Sequence, residues 1–499
     1  MSAIDANPRL VLRNLVISAC AFFAFACGPS QDLGPVEVAV IGEADSLFAS
    51  GVRLSPGAQH LRAASQEGLV ALDQSGQVVP AIAERWIVTD DAMSYIFRLR
   101  SSNWPDQEPI TAPQIRNLLQ EKLRQLEGTS LGLDLAKIVE VRAMTGRVIE
   151  FRLSGPMPDF LRLLAQPELG LALGGSGMGP MAIERDDEST IARLSLLPPE
   201  TRGFPARDDW EDLTRSLVVR SLPAGEAVAA FDRGEFDLLL NGSIIDFPMI
   251  ELGPLSRGAV QLDPALGLFG FIVRSDAGLL ETPARREALS MAIDRDALVQ
   301  PFGLGGWASA TRIVPSELLG SDAATEDRWS ELTLDERRSV ARNRIAQWAA
   351  QSGEEPVIRL GLPEGPGADL LFTYLARAWQ SIGVRTERVE MGRGGDLELS
   401  DRLARYASPR WFLNQLNCTI EIGLCSEEAD ELVRESLSVR DPEAKAALLN
   451  QAHDILTEAE VFIPLGAPVR WSLVRGSVEG HQANAWGLHP LSELAMPTN

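Results

Sequence analysis

The 499-residue chain is poor in the side chains that most often carry chemistry. It has 4 histidines and 4 cysteines. The cysteines are Cys20, Cys27, Cys418 and Cys425, and no histidine stands near them, so the material for a metal centre is scarce. No G-x-S-x-G, H-E-x-x-H or Walker motif occurs. The run Gly175 to Pro180 fails as a phosphate loop, because no Lys-Ser/Thr follows and its glycine spacing is not that of a dinucleotide fold. Basic residues are also short, 46 against 69 acidic, for a net charge of -23. That excludes a general nucleic-acid binder, which needs a basic footprint; a solvated acidic surface accounts for the balance. Low-complexity tracts are absent. Beyond the N-terminus no apolar stretch of membrane-spanning length appears, so the remainder is expected to be soluble.

What is present begins at the N-terminus. Arg9 and Arg13 precede an apolar stretch from Leu15 to Ala26, too short to span a bilayer and suited to a signal-peptide core, giving a signal over residues 1–26. It ends Ala24-Phe25-Ala26-Cys27-Gly28, which resembles a bacterial lipobox with Ala24 where Leu is usual. Ile17-Ser18-Ala19-Cys20 fits the lipobox wording better but leaves too short a core before it. Cys27 is therefore the preferred lipidated residue, with residues 27–35 as tether. The alternative is an ordinary secretory signal cleaved nearby.

The densest signal is the run Glu67 to Ile115. Leu69 to Asp73 is a short apolar run, and Ser75-Gly76 a turn dipeptide. Pro80 is expected to start a helical turn ending near Trp86. After a turn at Asp90-Asp91, Tyr95, Phe97 and Leu99 alternate with Ile96, Arg98 and Arg100 at the period of a strand. Thr111 and Gln114 have the form of a capping box. Behind it Ile115, Leu118, Leu119, Leu123 and Leu126 share one helical face, closed by Gly128.

These residues, in this order, resemble the signature of the extracellular solute-binding proteins of the peptide/nickel class (family 5). Glu67-Gly68-Leu69, Asp73, Gly76, Pro80, Trp86, Phe97 to Arg100, Trp104, Asp106, Pro109 and Thr111-Ala112 match it; Gln107 and Gln114 depart from the usual Gly and Asp. The likeness continues through Gly175 to Pro180, Ala229 to Asp237, Leu268 to Val273 and the helix that Thr282-Pro283 open, RREALSMAIDRDALV. Asp294 reads there as a helix-end residue, not a catalytic acid. Val357–Leu362, a helix around Leu370 to Ile382, and Val384 to Met391 read as a β-α-β unit, and Asp441-Pro442 cap a further helix.

The resemblance implies an α/β fold of the periplasmic binding protein type (cluster C), two lobes with a hinge and cleft plus an extra domain. Mapped onto this chain, lobe I takes residues 36–72, 167–265 and 470–499, the extra domain 73–166, and lobe II 266–469. It also implies a non-catalytic binder that closes on its solute, a permease partner and no cofactor. The expected molecule is a lipid-anchored monomer at the outer face of the bacterial inner membrane or in the periplasm.

The family's specificity segment corresponds to Leu403 through Cys418. Pro409, Phe412, Leu413 and Cys418 fit its frame, but Arg405 stands where the family has the Asp that grips a peptide's ammonium. A guanidinium prefers a carboxylate or phosphate, so an anionic or hydrogen-bond-accepting group is expected at Arg405, with Tyr406 and Trp411 as stacking walls. Ser46 is a further candidate contact. The alternative is that Arg405 is a solvent-facing loop residue. Cys418 and Cys425 are expected to form a disulfide in an oxidising compartment, the alternative being two free or buried thiols. Two other functions stay open: a lipoprotein acting as sensor or scaffold, and a periplasmic hydrolase, for which no acid–base or nucleophile set is evident.

Overall fold

Three sheets carry the fold in the computed structural model, which describes residues 34–105, 108–186, 190–250, 259–320 and 327–496. A seven-stranded mixed sheet runs Met181–Arg185, Ile191–Leu196, Leu217–Leu222, Val36–Ile41, Leu238–Ser243, Arg470–Val474, Val260–Asp263. Val36–Ile41 lies parallel to both of its neighbours. The strand feeds two cores by simple alternation: Val36, Val38 and Val40 face one, Ala39 and Ile41 the other. A strand covered on both faces must be apolar throughout, as this one nearly is.

A five-stranded sheet runs Arg385–Glu390, Val357–Leu362, Leu397–Leu403, Gly267–Val273, Phe462–Gly466. The expected β-α-β unit is there: Val357–Leu362 and Arg385–Glu390 pair in parallel, joined by the helix Pro366–Gln380. The third sheet is antiparallel, in the order Ala83–Val88, Ser94–Leu99, Val148–Leu153, Ile138–Thr145. The helix Ala112–Gln125 buries Ile115 and Leu119 toward the core of this part, which also holds Phe97 and Phe151.

Two expectations need correction. No helix starts at Pro80. Instead Pro80 ends the short strand Val78–Pro80, and Ala83–Val88 is the outer strand of the third sheet. Trp86, Ile87 and Val88 are strand-favouring residues, and a bulge between Ala83 and Arg85 accommodates the irregular pattern. The stretch from Pro283 is two helices, Pro283–Met291 and Arg295–Val299, because Asp294 breaks it. The Asp294 carboxylate accepts the Ala297 N–H at 3.1 Å and caps the second helix, a structural role.

Two three-residue linkers join the large sheets. Residues 264–266 run from the strand Val260–Asp263 to Gly267–Val273, and residues 467–469 from Phe462–Gly466 to Arg470–Val474. Each contains one proline, Pro264 and Pro468. Just past the second, Trp471 is fully buried against Gly242, where a Cβ would stand 2.0 Å from the indole, so only glycine fits. Among the described residues no helix is long and apolar enough to cross a membrane. Cys20, Cys27 and the signal segment lie outside the described residues.

Candidate functional site

A cavity of about 490 Å³ lies between the two large sheets, a volume suited to a small solute. One wall comes from Arg53, Leu54, Gln59 and His60 around the start of the helix Pro56–Ser65, with Asn241 and the turn Trp486 to Leu488. Ser55 Oγ accepts the Ala58 N–H at 3.1 Å and caps that helix, which fixes the first wall. The opposite wall is the end of the strand Leu397–Leu403 with Ala404, Arg405, Trp411 and Gln415. That strand stops where the Ala404 N–H bonds to Leu266 O at 2.7 Å, and Pro409 then opens the helix Pro409–Asn414. Gly76 of the signature run, at φ 75°, packs against Trp486 of the first wall.

Charge in the cavity is uneven. Asp401 is the one carboxylate among the described lining residues, and Arg470 Nη1 holds both of its oxygens at 2.8 and 2.9 Å. Burial raises the Asp401 pKa, and the Arg470 charge opposes the rise. Arg405 does line the cavity, but its Nη2 already pairs with the buried Glu168 at 3.1 Å, and its Nη1 reaches Ser130 Oγ at 3.4 Å. Arg402 makes no ion pair among the described residues. Its Nη1 donates to Gln415 Oε1 at 3.3 Å, and burial, then the like charge of Arg405, lower its pKa. His60 is held neutral, its pKa lowered to about 4 by burial.

The other expected contacts fall differently. Trp411 lines the cavity from a position only 1 % exposed. Tyr406, expected as a stacking wall, is not among the lining residues. It is buried, and its hydroxyl donates to Asp134 Oδ1 at 2.8 Å. Asn414 Nδ2 donates to the same oxygen at 2.8 Å, and Arg410 Nη2 to the Asp134 carbonyl at 2.9 Å. Burial lifts the Asp134 pKa to about 6 and that of Tyr406 well above its usual range. Arg410 and Asn414, with Tyr406 just ahead of them, thus tie the helix Pro409–Asn414 to the helix Ser130–Asp134. Ser46 is also absent from the cavity: its hydroxyl donates to Glu43 O at 2.6 Å within its own short turn. Cys418 and Cys425 are joined by a disulfide, with Cα atoms 5.2 Å apart.

The histidines, dispersed in sequence, are largely gathered in space. His489 stacks between His60 and His481, with ring centroids 6.2 and 4.5 Å away, and His489 Nε2 lies 3.2 Å from Asp263 Oδ2. Among the described residues no group of His, Cys, Asp or Glu is arranged to hold a metal ion. Sequence reasoning missed Arg402, Gln59 and the Arg470–Asp401 pair. The charge of Arg402, near the end of a strand whose first four residues are buried, was the available signal.

Residues 77–190 match the family described as bacterial extracellular solute-binding proteins, family 5 Middle. The probable di/tripeptide-binding protein 5 of Pseudomonas aeruginosa is 24 % identical over 475 residues, covering 84 % of this chain and 88 % of the relative. The periplasmic oligopeptide-binding protein OppA of Escherichia coli is 24 % identical over 471 residues, covering 83 % and 84 %. Among solved structures, Burkholderia pseudomallei OppA superposes with a TM-score of 0.78 at 19 % identity, covering 94 % of this chain and all of that one. The Escherichia coli murein tripeptide binding protein MppA gives 0.78 at 18 % identity, covering 93 % and 98 %, whereas an unliganded open form of MppA gives 0.61. The resemblance read from the sequence is borne out: residues 77–190 match a family 5 solute-binding domain, and the chain has the fold of the periplasmic binding proteins.

Proposed function

We propose that the protein is the lipid-anchored, solute-binding component of an ABC importer, capturing a peptide-like small solute between its lobes and presenting the closed form to a permease. The observation that carries this reading is the cavity of about 490 Å³ lined from both large sheets, which are joined by two short linkers. The Arg405–Glu168 contact across the cleft and the Tyr406–Asp134 contact between lobe II and the extra domain, together with the lesser likeness to an open relative, support a closed arrangement. In this reading residues 36–72, 167–265 and 470–499 form lobe I, 73–166 the extra domain and 266–469 lobe II. Cys27 carries the lipid, and residues 27–35 span from the membrane to the folded part. The relatives are named as peptide binders, which supports a solute of that size and class. Among the described lining residues no nucleophile is hydrogen-bonded to a base: Ser130 Oγ meets Arg405 and His60 Nδ1 meets Pro56 O, which favours binding over turnover.

The test is direct. Solute released by unfolding the purified protein is identified by mass spectrometry, then titrated back by calorimetry. Stoichiometric binding with the solute recovered intact is the expected result. Conversion of the solute to product would instead favour a periplasmic hydrolase, and binding in a strain that lacks any cognate permease a sensor.

A further inference from the structure

We propose that the cleft selects an acidic solute without a free amine, its carboxylate held by Arg402; this rests on the binding reading above. Four arginines line the cavity: Arg53, Arg402, Arg405 and Arg470. Two are spent internally, Arg470 on Asp401 and Arg405 on Glu168. Arg53 is exposed at the rim, where a charge steers but is well solvated. Arg402 is different, being partly buried and without a counter-ion among the described residues.

The local geometry leaves a gap for an anion. Gln415 Nε2 donates to Trp411 O at 3.1 Å, which turns its Oε1 toward Arg402 Nη1. One edge of the guanidinium is thereby fixed, while Nε and Nη2 have no acceptor among the described residues. A planar guanidinium presents five donors in a fork that fits a carboxylate. Leaving such a charge half-buried and unpaired is unfavourable unless a bound group completes it. The reverse charge is not provided for. Among the described residues the cavity's single carboxylate is already gripped through both oxygens, so no free carboxylate remains to pair with an ammonium.

The experiment uses the full chain, refolded to remove bound solute, with four probes: Ala-Ala, N-acetyl-Ala-Ala, Ala-Ala amide and N-acetyl-Ala-Ala amide. Calorimetry is expected to find N-acetyl-Ala-Ala bound at least as tightly as Ala-Ala, and roughly tenfold or more weaker binding whenever the C-terminus is amidated. Arg402→Gln is expected to abolish the preference for acid over amide, and Arg402→Lys to restore part of it. Thermal unfolding of the empty protein supplies a reading that needs no probe. Arg402→Gln removes an unpaired charge and should raise the midpoint, on the order of 2 °C. Amide binding equal to acid, or a lowered midpoint in empty Arg402→Gln, overturns the proposal. Failure of the underlying reading has a different signature, hydrolysis of the probes or the absence of any solute in the purified protein.

Discussion

His453 is 1 % exposed on the helix Pro442–Glu458, and neither of its ring nitrogens has a hydrogen-bond partner among the described residues. Burial, then the charge of Arg312, lowers its pKa to about 4. The unfolded chain, at the ordinary value near 6.5, binds a proton that the folded chain refuses. Stability from this group is therefore complete above about pH 6.5 and is lost as the pH falls toward 4. Asp134, lifted to about 6, acts with the opposite sign, losing stability as the pH rises from about 4 to 6. Other buried carboxylates share that sign, so total stability against pH mixes both. A difference between variants separates them. His453→Met keeps the volume and removes the titration; its stability relative to the parent should improve by up to about 2 kcal/mol between pH 7 and pH 5. Urea melts at the two pH values check this, and an unchanged difference would sink it. At this scale the sequence was only partly legible. Arg405, singled out from the sequence, lines the cavity, but which guanidinium lacks a counter-ion depends on Glu168, 237 residues away. Tyr406 looked like a wall because its partner, Asp134, comes from another part of the chain.

Elements were more legible, since period and capping are local. The strand Ser94–Leu99 buries Tyr95, Phe97 and Leu99 as their alternation required, and Thr111 begins the helix it was expected to begin. The miss at Pro80 has a physical cause. Proline suits a helix start as well as the end of a short strand, and only pairing with Val70 decides between them. The disulfide was legible from proximity and compartment, but its setting was not. It closes the loop between the helices Pro409–Asn414 and Glu427–Glu435, and that loop docks on the five-stranded sheet through Leu424 N–H to Val273 O at 2.8 Å. The Cys418 N–H is separately held by Asp430 at 2.9 Å. Replacing both cysteines by serine should therefore leave the loop docked and cost chiefly the chain-entropy term. For so short a loop that term is about 2 kcal/mol. Guanidinium denaturation of the double variant against the oxidised parent measures it. A loss beyond twice that value would mean the loop, and with it the edge of the cleft wall, had come away.

In the proposed reading the whole molecule divides its arginines between closing the cleft and holding the solute. Arg405 reaches across to Glu168 on the short turn Pro167–Leu169, which packs beside the helix Pro56–Ser65. It thus fastens the wall of the five-stranded sheet to the opposite side before any solute enters. Ligand affinity in a hinged protein is scaled by the fraction of molecules already competent to bind. Arg405→Gln leaves the buried Glu168 carboxylate with no ion-pair partner among the described residues, a cost of ~1–3 kcal/mol borne by the closed form. The empty variant should then be more open, with a larger radius of gyration by small-angle X-ray scattering. Its affinity for every solute should fall by roughly 10- to 100-fold without change in preference between acid and amide. Arg402→Gln is expected to do the converse, altering preference while leaving the scattering of the empty protein unchanged. If Arg405→Gln changes the preference instead, the anion sits at Arg405, displacing Glu168. The latch and the ligand site would then be one residue rather than two set three positions apart on the same wall.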